Sequence, residues 1–275
     1  MTRNTILLER LKKDGNGLEI GPCHRPAAPK KEGFNVEIVD HLSRDGLLSK
    51  YKDRQLDLDA VEEVDHIWTG QSYVELTGRK KHYDWIIASH VIEHTPDLIV
   101  FLKECDSVLN DEGVVSLAVP DKRYCFDYYR PISSLSRVID CHLSENRIHS
   151  AGTVAEYYLN VVKKSGIGAW DANTEGECNF IHTLEHAVQG MNKVKKHGIY
   201  IDVHAWCFVP HSFRLLINDL CDLGLIPFRE VSFTATMGSE FFITLGRQGS
   251  GLDITRLEAT RQIEAEVLAP IRQAA

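Results

Sequence analysis

The strongest constraint in this sequence is an apolar strand, a helical period and a second apolar strand that follow one another directly. Tyr83–Ser89 is an almost continuous apolar run, as is typical of a parallel strand covered on both faces. Residues 98–109 carry apolar side chains at helical spacing, and residues 114–119 are apolar again. Gly113 lies between these two segments, where we expect a left-handed helix cap. The pattern predicts an α/β protein with a doubly wound parallel sheet.

The remaining elements agree with this fold class. We expect a short amphipathic helix within residues 1–14, a third strand at 64–68, and helices at 43–51 and 210–223. Residues 227–234 and 240–245 are expected to form a terminal antiparallel pair of strands.

A glycine turn near the N-terminus predicts a ligand site. Leu18 and Ile20 run into Gly21, and a strand that ends on glycine lets a ligand approach bare backbone. A second apolar strand, residues 36–40, ends at Asp40, about 20 residues after the turn, the spacing at which a carboxylate reaches ribose hydroxyls. Cys23 stands where the dinucleotide fingerprint has its second glycine, so NAD is not expected.

Two segments resemble class I methyltransferases that use S-adenosylmethionine. Residues 18–22 (Leu-Glu-Ile-Gly-Pro) resemble the first motif of that family, which normally has a further glycine at the position of Cys23. Residues 84–120 are similar to the strand–helix–strand core, with Ser-His-Val-Ile-Glu-His at 89–94 as the fourth motif. The resemblance spans most of residues 15–245 and implies a Rossmann-like methyltransferase sheet with antiparallel C-terminal strands.

A narrower resemblance comes from residues 119–127 and 202–208. They look like bacterial methyltransferases found alone or fused to glycosyltransferases in surface-polysaccharide assembly, for O-antigen or capsule. This implies a carbohydrate acceptor and a glycosyltransferase as partner or fused domain. The alternatives are another acceptor (a small metabolite, a lipid or a nitrogen) and a non-catalytic binding module of the same fold.

The family resemblance implies S-adenosylmethionine as cofactor and S-adenosylhomocysteine as product. Asp65 would meet the adenine amino group, or it is a solvated edge carboxylate. His90 would face the substrate or the sulfonium, unless this segment only caps a helix. The expected cofactor-binding residues are Glu19, Gly21, Pro22, Asp40, His41, Asp65, Ser89, His90, Glu93 and His94.

Residues 121–200 interrupt the strand–helix alternation, and we interpret them as a helical cap inserted after the fifth strand. Helices are expected at 132–143, 153–164 and 183–196. The predicted division is 1–120 and 201–250 for the cofactor-binding domain, 121–200 for the cap and 251–275 for a C-terminal amphipathic helix. Aromatic residues interleaved with charged ones suit a sugar, although a structural loop network is the alternative. The expected substrate-binding residues are Arg123, Tyr124, Asp127, Arg130 and His149.

A protonated sugar hydroxyl is a poor nucleophile, so a base is expected. The candidates are His90, Asp121 and His204. Asp202, His204 and Trp206 alternate along one extended segment and would share a side. Asp202 could therefore orient the His204 ring, unless the two form only a structural pair at the cap hinge.

The net charge and the spacing of the cysteines limit the classes of partner and the cellular compartment that we expect. The net charge of −8 does not favour a nucleic-acid partner, and no apolar run approaches the roughly 18 residues of a membrane span. The seven cysteines are widely spaced, which suits the cytoplasm rather than a disulfide framework. His182 and His186 match a zinc-protease pattern without its further ligand, so we expect no metal. The helix at 252–268 packs on its own domain or on a second copy.

Overall fold

The computed structural model describes residues 2–54 and 56–273, and its centre is a seven-stranded sheet. The nine strands are β1 (Gly17–Ile20), β2 (Val36–Asp40), β3 (His66–Ile67), β4 (Tyr83–Ser89), β5 (Leu109–Pro120), β6 (Val162–Lys164), β7 (Cys178–Phe180), β8 (Arg229–Met237) and β9 (Glu240–Gly246). The main sheet has the order β3-β2-β1-β4-β5-β9-β8, and β9 runs antiparallel to both its neighbours. This order confirms the doubly wound sheet and its antiparallel C-terminal pair.

Helices cover the sheet and build the segment that follows β5. They are α1 (Arg3–Leu7), α2 (Arg44–Tyr51), α3 (Tyr73–Thr77), α4 (Leu98–Val108), α5 (Leu135–Leu143), α6 (Ala151–Asn160), α7 (Leu184–His197), α8 (Pro210–Asp222) and α9 (Arg256–Gln273).

Strand β4 lies at the middle of the sheet because its side chains are apolar on both faces. Ile86, Ile87 and Ala88 are fully buried, and β4 pairs in parallel with β1 and β5. Helix α4 then buries its own apolar face, including Leu98 and Leu102, against the same core. The strand–helix–strand prediction is thereby confirmed.

Glycine at position 17 permits the close packing of β1 on β4. A Cβ on Gly17 would lie 2.0 Å from the Trp85 ring, closer than two non-bonded carbon atoms can approach. The indole is buried and donates Nε1–H to the carbonyl of Lys12, which anchors the chain just before β1. The glycine is therefore required by packing.

Two sequence expectations about these strands are wrong. Gly113 is not a left-handed helix cap; it lies inside β5, which begins immediately after α4. A Cβ there would meet the Leu109 side chain at 2.7 Å and the Tyr83 carbonyl at 3.0 Å, so close packing explains this glycine. Strand β3 has only two residues, because its pairing with β2 covers only Val39 and Asp40.

Residues 121–209 lie between β5 and α8, and their described part adds no strand to the main sheet. The three expected helices are present as α5, α6 and α7. The predicted helix at 153–164 is too long, because residues 162–164 form strand β6, which pairs with β7. Helices α6 and α7 pack closely, since a Cβ on Gly190 would lie 2.6 Å from the Tyr158 ring. The cap role and the domain limits remain predictions.

Helix α9 packs against α8 through polar contacts. Its Glu266 accepts hydrogen bonds from the backbone and the ring of His211, while Leu257 is exposed. The helix continues beyond the expected end at residue 268. Among the described residues, no helix is both long enough and apolar enough to cross a membrane.

Candidate functional site

The carboxyl ends of β1, β2 and β4 lie side by side and form the edge where the predicted cofactor residues gather. Ile20 pairs with Val39 on one side and with Ala88 on the other, so the residues after these three strands are neighbours. Gly21 follows β1 with a left-handed φ of 64°, and a Cβ there would approach Val91 at 3.1 Å. In open α/β sheets, ligands bind at this edge.

The turn after Gly21 keeps a left-handed conformation without a second glycine. Cys23, the residue that departs from the family motif, has a φ of 46°. No regular helix follows; a loop leads to a single 3-10 turn at Lys30–Glu32, as the prolines predict. Pro22 and Cys23 line a narrow pocket together with Asp40.

Asp40 presents an unused carboxylate oxygen to this pocket region. Its Oδ1 accepts hydrogen bonds from the backbone N–H of His41 at 2.7 Å and from the His41 ring at 2.6 Å. Its Oδ2 is buried and has no partner. A buried acceptor without a donor is costly, so a ligand hydroxyl at this position would satisfy it. Lys50 contacts the far nitrogen of the His41 ring at 2.7 Å.

Glu19 lies at this edge but turns its carboxylate inward. The side chain is buried and accepts the backbone N–H groups of Ala27 at 2.6 Å and Ala28 at 3.2 Å. Burial raises the pKa of Glu19 to about 7, although the two N–H groups act in the opposite direction. The structure therefore gives Glu19 the task of holding the loop after Gly21.

The Asp65 carboxylate is hydrogen-bonded within the protein, and the aromatic side chain of Trp68 nearby is exposed. The Asp65 carboxylate accepts the backbone N–H of Ile38 at 2.6 Å and the ammonium group of Lys30 at 2.5 Å. Trp68, directly after β3, is exposed; its backbone N–H donates to the Asp40 carbonyl and its indole Nε1–H donates to the Gln71 carbonyl, each at 2.8 Å. The sequence analysis missed Trp68; its place at the end of a predicted strand was the available signal.

His90 is held by residues from both ends of the chain. It has a left-handed φ of 55°, and its Nε2 lies 2.8 Å from Glu240, which also accepts from Arg3 at 2.7 Å. Partial burial lowers the His90 pKa, but Glu240 and Glu93 raise it more, to about 9. Arg3 also donates to the hydroxyl of Ser89. Neither Arg3 nor Glu240 carries a local sequence signal for this role.

Glu93 and His94, in the 3-10 turn Ile92–His94, lie close to His204. We call these three residues the histidine cluster. The two rings meet edge to face, with centroids 4.5 Å apart. Nε2 of His204 lies 3.9 Å from Oε1 of Glu93. Glu93 is fully buried, and neither of its oxygens has a hydrogen-bond partner.

Each histidine of the cluster is paired with an aspartate, and the predicted pairing of Asp202 with His204 is wrong. Asp202 contacts Nδ1 of His94 at 2.8 Å, while His204 pairs with Asp127 at 2.5 Å. Strict alternation fails because residues 203–209 are buried on all sides, whereas Asp202 remains largely exposed.

Asp127 and Arg130, expected at the substrate, are buried behind His204. Arg130 donates to Asp127 at 2.8 Å, to the His204 carbonyl at 2.7 Å and to Glu156 at 3.0 Å. Burial raises the Asp127 pKa, but His204 and Arg130 lower it more, to about 2. Both residues therefore fix the position of His204.

Asp121 and Arg123 form a closed pair. The fully buried Asp121 accepts from Arg123 at 2.9 Å and from the hydroxyl of Thr236 at 2.6 Å. The guanidinium of Arg123 also lies over the ring of Tyr124. The structure thus occupies the Asp121 carboxylate with Arg123 and Thr236.

A cleft of about 390 Å³ opens next to the histidine cluster, between α5 and α6. Its lining includes Trp206, Arg137, Asp140, Asn146 and His149. Both ring nitrogens of His149 are buried without a partner, and burial, with the neighbouring His94, lowers its pKa to about 4. The cleft offers polar side chains beside a largely buried indole, and the sequence analysis singled out only His149 and Trp206 among its residues.

A family model described as "Methyltransferase domain" matches residues 2–186, well over half of the chain. No curated protein sequence matches this chain.

Three solved structures are similar at low identity. A proposed zinc-dependent alcohol dehydrogenase from Rhodobacter sphaeroides is 13% identical, with 90% of this chain and 89% of that chain covered and a TM-score of 0.48. A SAM-dependent methyltransferase from Aquifex aeolicus is 9% identical, with 88% of each chain covered and a TM-score of 0.44. The trans-methyltransferase CalH, in complex with SAH, is 14% identical, with 88% and 53% covered and a TM-score of 0.41. With TM-scores below 0.5, none of the three carries an inference about this chain.

Proposed function

This chain belongs to the methyltransferase domain family, and we propose that it transfers a methyl group from S-adenosylmethionine to a hydroxyl of a sugar. The cofactor, when bound, supplies an activated methyl group on a sulfonium and leaves as S-adenosylhomocysteine. The protein must align the acceptor, exclude water and activate the hydroxyl. Alignment alone is worth roughly 7–11 kcal/mol in such reactions.

The edge at Gly21 and Asp40 fits the nucleoside part of this cofactor. The partnerless Oδ2 of Asp40 would accept a hydrogen bond from a ribose hydroxyl. The left-handed turn at Gly21 and Cys23 exposes backbone without a Cβ in the way at residue 21. Trp68 offers an aromatic face on which an adenine would stack.

The cleft beside the histidine cluster is the observation that carries the choice of a sugar. A sugar has apolar faces and several hydroxyls, so its site needs an apolar or aromatic surface with fixed polar partners. Trp206 is almost fully buried under this cleft and the guanidinium of Arg137 lies over its ring, 5.6 Å from the centroid, so the Arg137 side chain would supply the surface against which the sugar packs. Asp140, Asn146 and His149 supply donors and acceptors.

Among the three candidate bases, His204 best fits activation of the hydroxyl. Asp121 is paired with Arg123, and both ring nitrogens of His90 face carboxylates, Glu240 at 2.8 Å and Glu93 at 3.4 Å. Only Nδ1 of His204 is hydrogen-bonded, to Asp127, so Nε2 can accept a proton from the acceptor hydroxyl. His204 lies beside His94, and both histidines lie near His149 of the cleft. His204 is therefore the residue through which the acceptor oxygen is activated.

The proposal is tested by following S-adenosylhomocysteine formation with a panel of oligosaccharides, sugar nucleotides, phenols, lipids and amines. We expect turnover with sugars alone, and Arg137→Ala should raise KM for the acceptor while cofactor affinity stays within a few fold. Arg229→Ala, a change at an exposed ion pair away from the cleft, is the control. Turnover with non-sugar acceptors alone would overturn the sugar assignment. Cofactor binding without turnover on any acceptor would instead support the binding-module alternative.

The biological setting follows from the acceptor. Methylation of a surface polysaccharide would bring the protein together with a glycosyltransferase, and the exposed apolar residues of α9, such as Leu257 and Leu268, could contact a second copy. All seven cysteines are unpaired, which suits the cytoplasm.

A further inference from the structure

The buried carboxylate of Glu93 has no hydrogen-bond partner, although the ring of His90 lies close enough to interact with its charge. Its side chain is fully buried, and no hydrogen bond reaches either oxygen. Burying an ionised carboxylate without partners costs several kcal/mol, so buried charges are normally paired or bound to a metal. The nearest candidate partner in the same turn is His90, whose Nδ1 lies 3.4 Å away without hydrogen-bond alignment.

The donor atoms around Glu93 are spaced for a metal ion. Glu93, His94 and His204 each offer one ligand atom, and these three atoms all lie within 4.8 Å of one another. Bonds of about 2.0–2.2 Å would place tetrahedral ligands about 3.3 Å apart. The cluster must therefore contract slightly. The His94 side chain is one-third exposed and has room to move.

Both histidines are also oriented as metal ligands usually are. A metal-binding histidine generally donates its other ring N–H to a carboxylate, which fixes the tautomer and the ring direction. Here Asp202 holds Nδ1 of His94 and Asp127 holds Nδ1 of His204. Nε2 is thus the nitrogen left for a metal on each ring. The arrangement brings together four side chains from three separate segments of the chain, at residues 94, 127 and 202–204.

We propose that Glu93, His94 and His204 bind a divalent transition-metal cation, with Zn²⁺ as the expected occupant. Two histidines and one glutamate are a donor set of catalytic zinc sites, which keep a coordination position open. Imidazole ligands favour such ions over Mg²⁺ and Ca²⁺, which prefer oxygen. The sequence analysis expected no metal. The ligands of the proposed site come from two separate segments, which no local motif brings together.

The role of the ion rests on the proposed function, whereas its binding does not. An acceptor hydroxyl in the open position would lose its proton to water more readily, because the cation stabilises the alkoxide. The alkoxide oxygen would then form the bond to the methyl carbon, while the carbon–sulfur bond breaks and its electron pair stays on sulfur. With the ion bound, His204 would activate the acceptor as a ligand of the cation, in place of the role of base that it has without the ion, and the proton would pass to water.

The test is the binding of Zn²⁺ to the full chain after removal of metals with a chelator, without cofactor or acceptor. Titration calorimetry should give one Zn²⁺ per chain, and substitution with Co²⁺ should give visible absorption typical of four or five ligands. Glu93→Gln and His204→Gln should weaken the affinity at least 100-fold. Asp202→Asn should weaken it about 10-fold, since a residue that orients a ligand typically contributes 10- to 100-fold.

Matched controls come from the second histidine pair. His182 and His186 lie on the surface with ring centroids 5.5 Å apart, so His182→Gln and His186→Gln report adventitious zinc binding and should not change the affinity. Because the largely exposed Asp202 can be replaced without opening the core, its variant keeps the test valid if His204→Gln unfolds. Loss of binding in the control variants alone, unchanged binding in Glu93→Gln, or tighter binding of Mg²⁺ than Zn²⁺ would each overturn the site. Failure of methyl transfer would leave the metal result unaffected.

Discussion

Nδ1 of His204 donates a hydrogen bond of 2.5 Å to Oδ2 of Asp127, and both side chains are buried. The same carboxylate is bound by Arg130, which also donates to the backbone carbonyl of His204. Ring and backbone of His204 are thus held from one side by a single buried ion pair, which leaves Nε2 toward Glu93.

Asp127→Asn should lower turnover by about 10- to 100-fold, because the amide cannot fix the ring tautomer as the carboxylate does. Cofactor affinity should stay within a few fold, since Asp127 lies away from the Asp40 edge. Steady-state kinetics with separate measurement of cofactor binding checks this. Asp202→Asn is the comparison and should lose less, because water can replace its exposed carboxylate. Equal losses in both variants would contradict the special position of Asp127.

Asp40→Asn should weaken binding of S-adenosylmethionine by about 1–3 kcal/mol, because an acceptor of a ligand hydrogen bond is lost. Calorimetry on the purified variant gives the value directly. Asp45→Asn, an exposed change in the first turn of α2, should leave affinity unchanged. Indifference of the affinity to Asp40→Asn, or binding of NAD in place of the cofactor, would count against the site.

The contribution of Glu19 to the free energy of unfolding should decrease as the pH rises. Its pKa in the folded protein is about 7, above the ordinary value of 4.5, so the folded state holds this proton longer than the unfolded state. Stability from this residue is therefore complete below pH 4.5 and declines up to pH 7, by at most about 3 kcal/mol. Urea unfolding at pH 5 and pH 7.5 should show this loss in the native chain and not in Glu19→Gln. Equal pH dependence in the two proteins would contradict the prediction.

Gly17→Ala should destabilise the protein by about 1–3 kcal/mol or more, because a methyl group would overlap the buried Trp85 ring. Gly152→Ala provides the opposite control: its Cβ would lie in ordinary contact on exposed α6, so replacement should stabilise by about 0.5–1 kcal/mol. Thermal unfolding of both variants decides the matter. A similar melting temperature for Gly17→Ala and the native chain would show that β1 and β4 can separate without cost.

The fold could be predicted because its signals are local. The apolar run of β4 and the helical period of α4 are each contained in a dozen residues, and burial of these side chains determines where they lie. The position of Asp40 followed from its spacing to Gly21 for the same reason. Gly113 shows the limit of this prediction. Contact with Tyr83 and Leu109 requires glycine there, and in the sequence a glycine required by packing looks the same as a glycine that caps a helix.

The candidate site could be predicted only in part, because its geometry depends on contacts between distant residues. His90, Glu93 and His204 were identified individually from the motifs, but their partners were not. Which aspartate reaches His204 is decided by the fold of residues 121–130 over residues 203–209. No spacing in the sequence records that choice.

The contact from Arg3 through Glu240 to His90 has a consequence for how the chain matures during synthesis. The N-terminal part leaves the ribosome first, so β1, β2, β4 and β5 can assemble early. Glu240 belongs to β9, the strand that pairs with the outer edge of β5. Until β9 docks, His90 lacks its partner and β5 has an open edge. The pairing of His90 with Glu240 is thus completed by one of the last parts of the sheet to be translated.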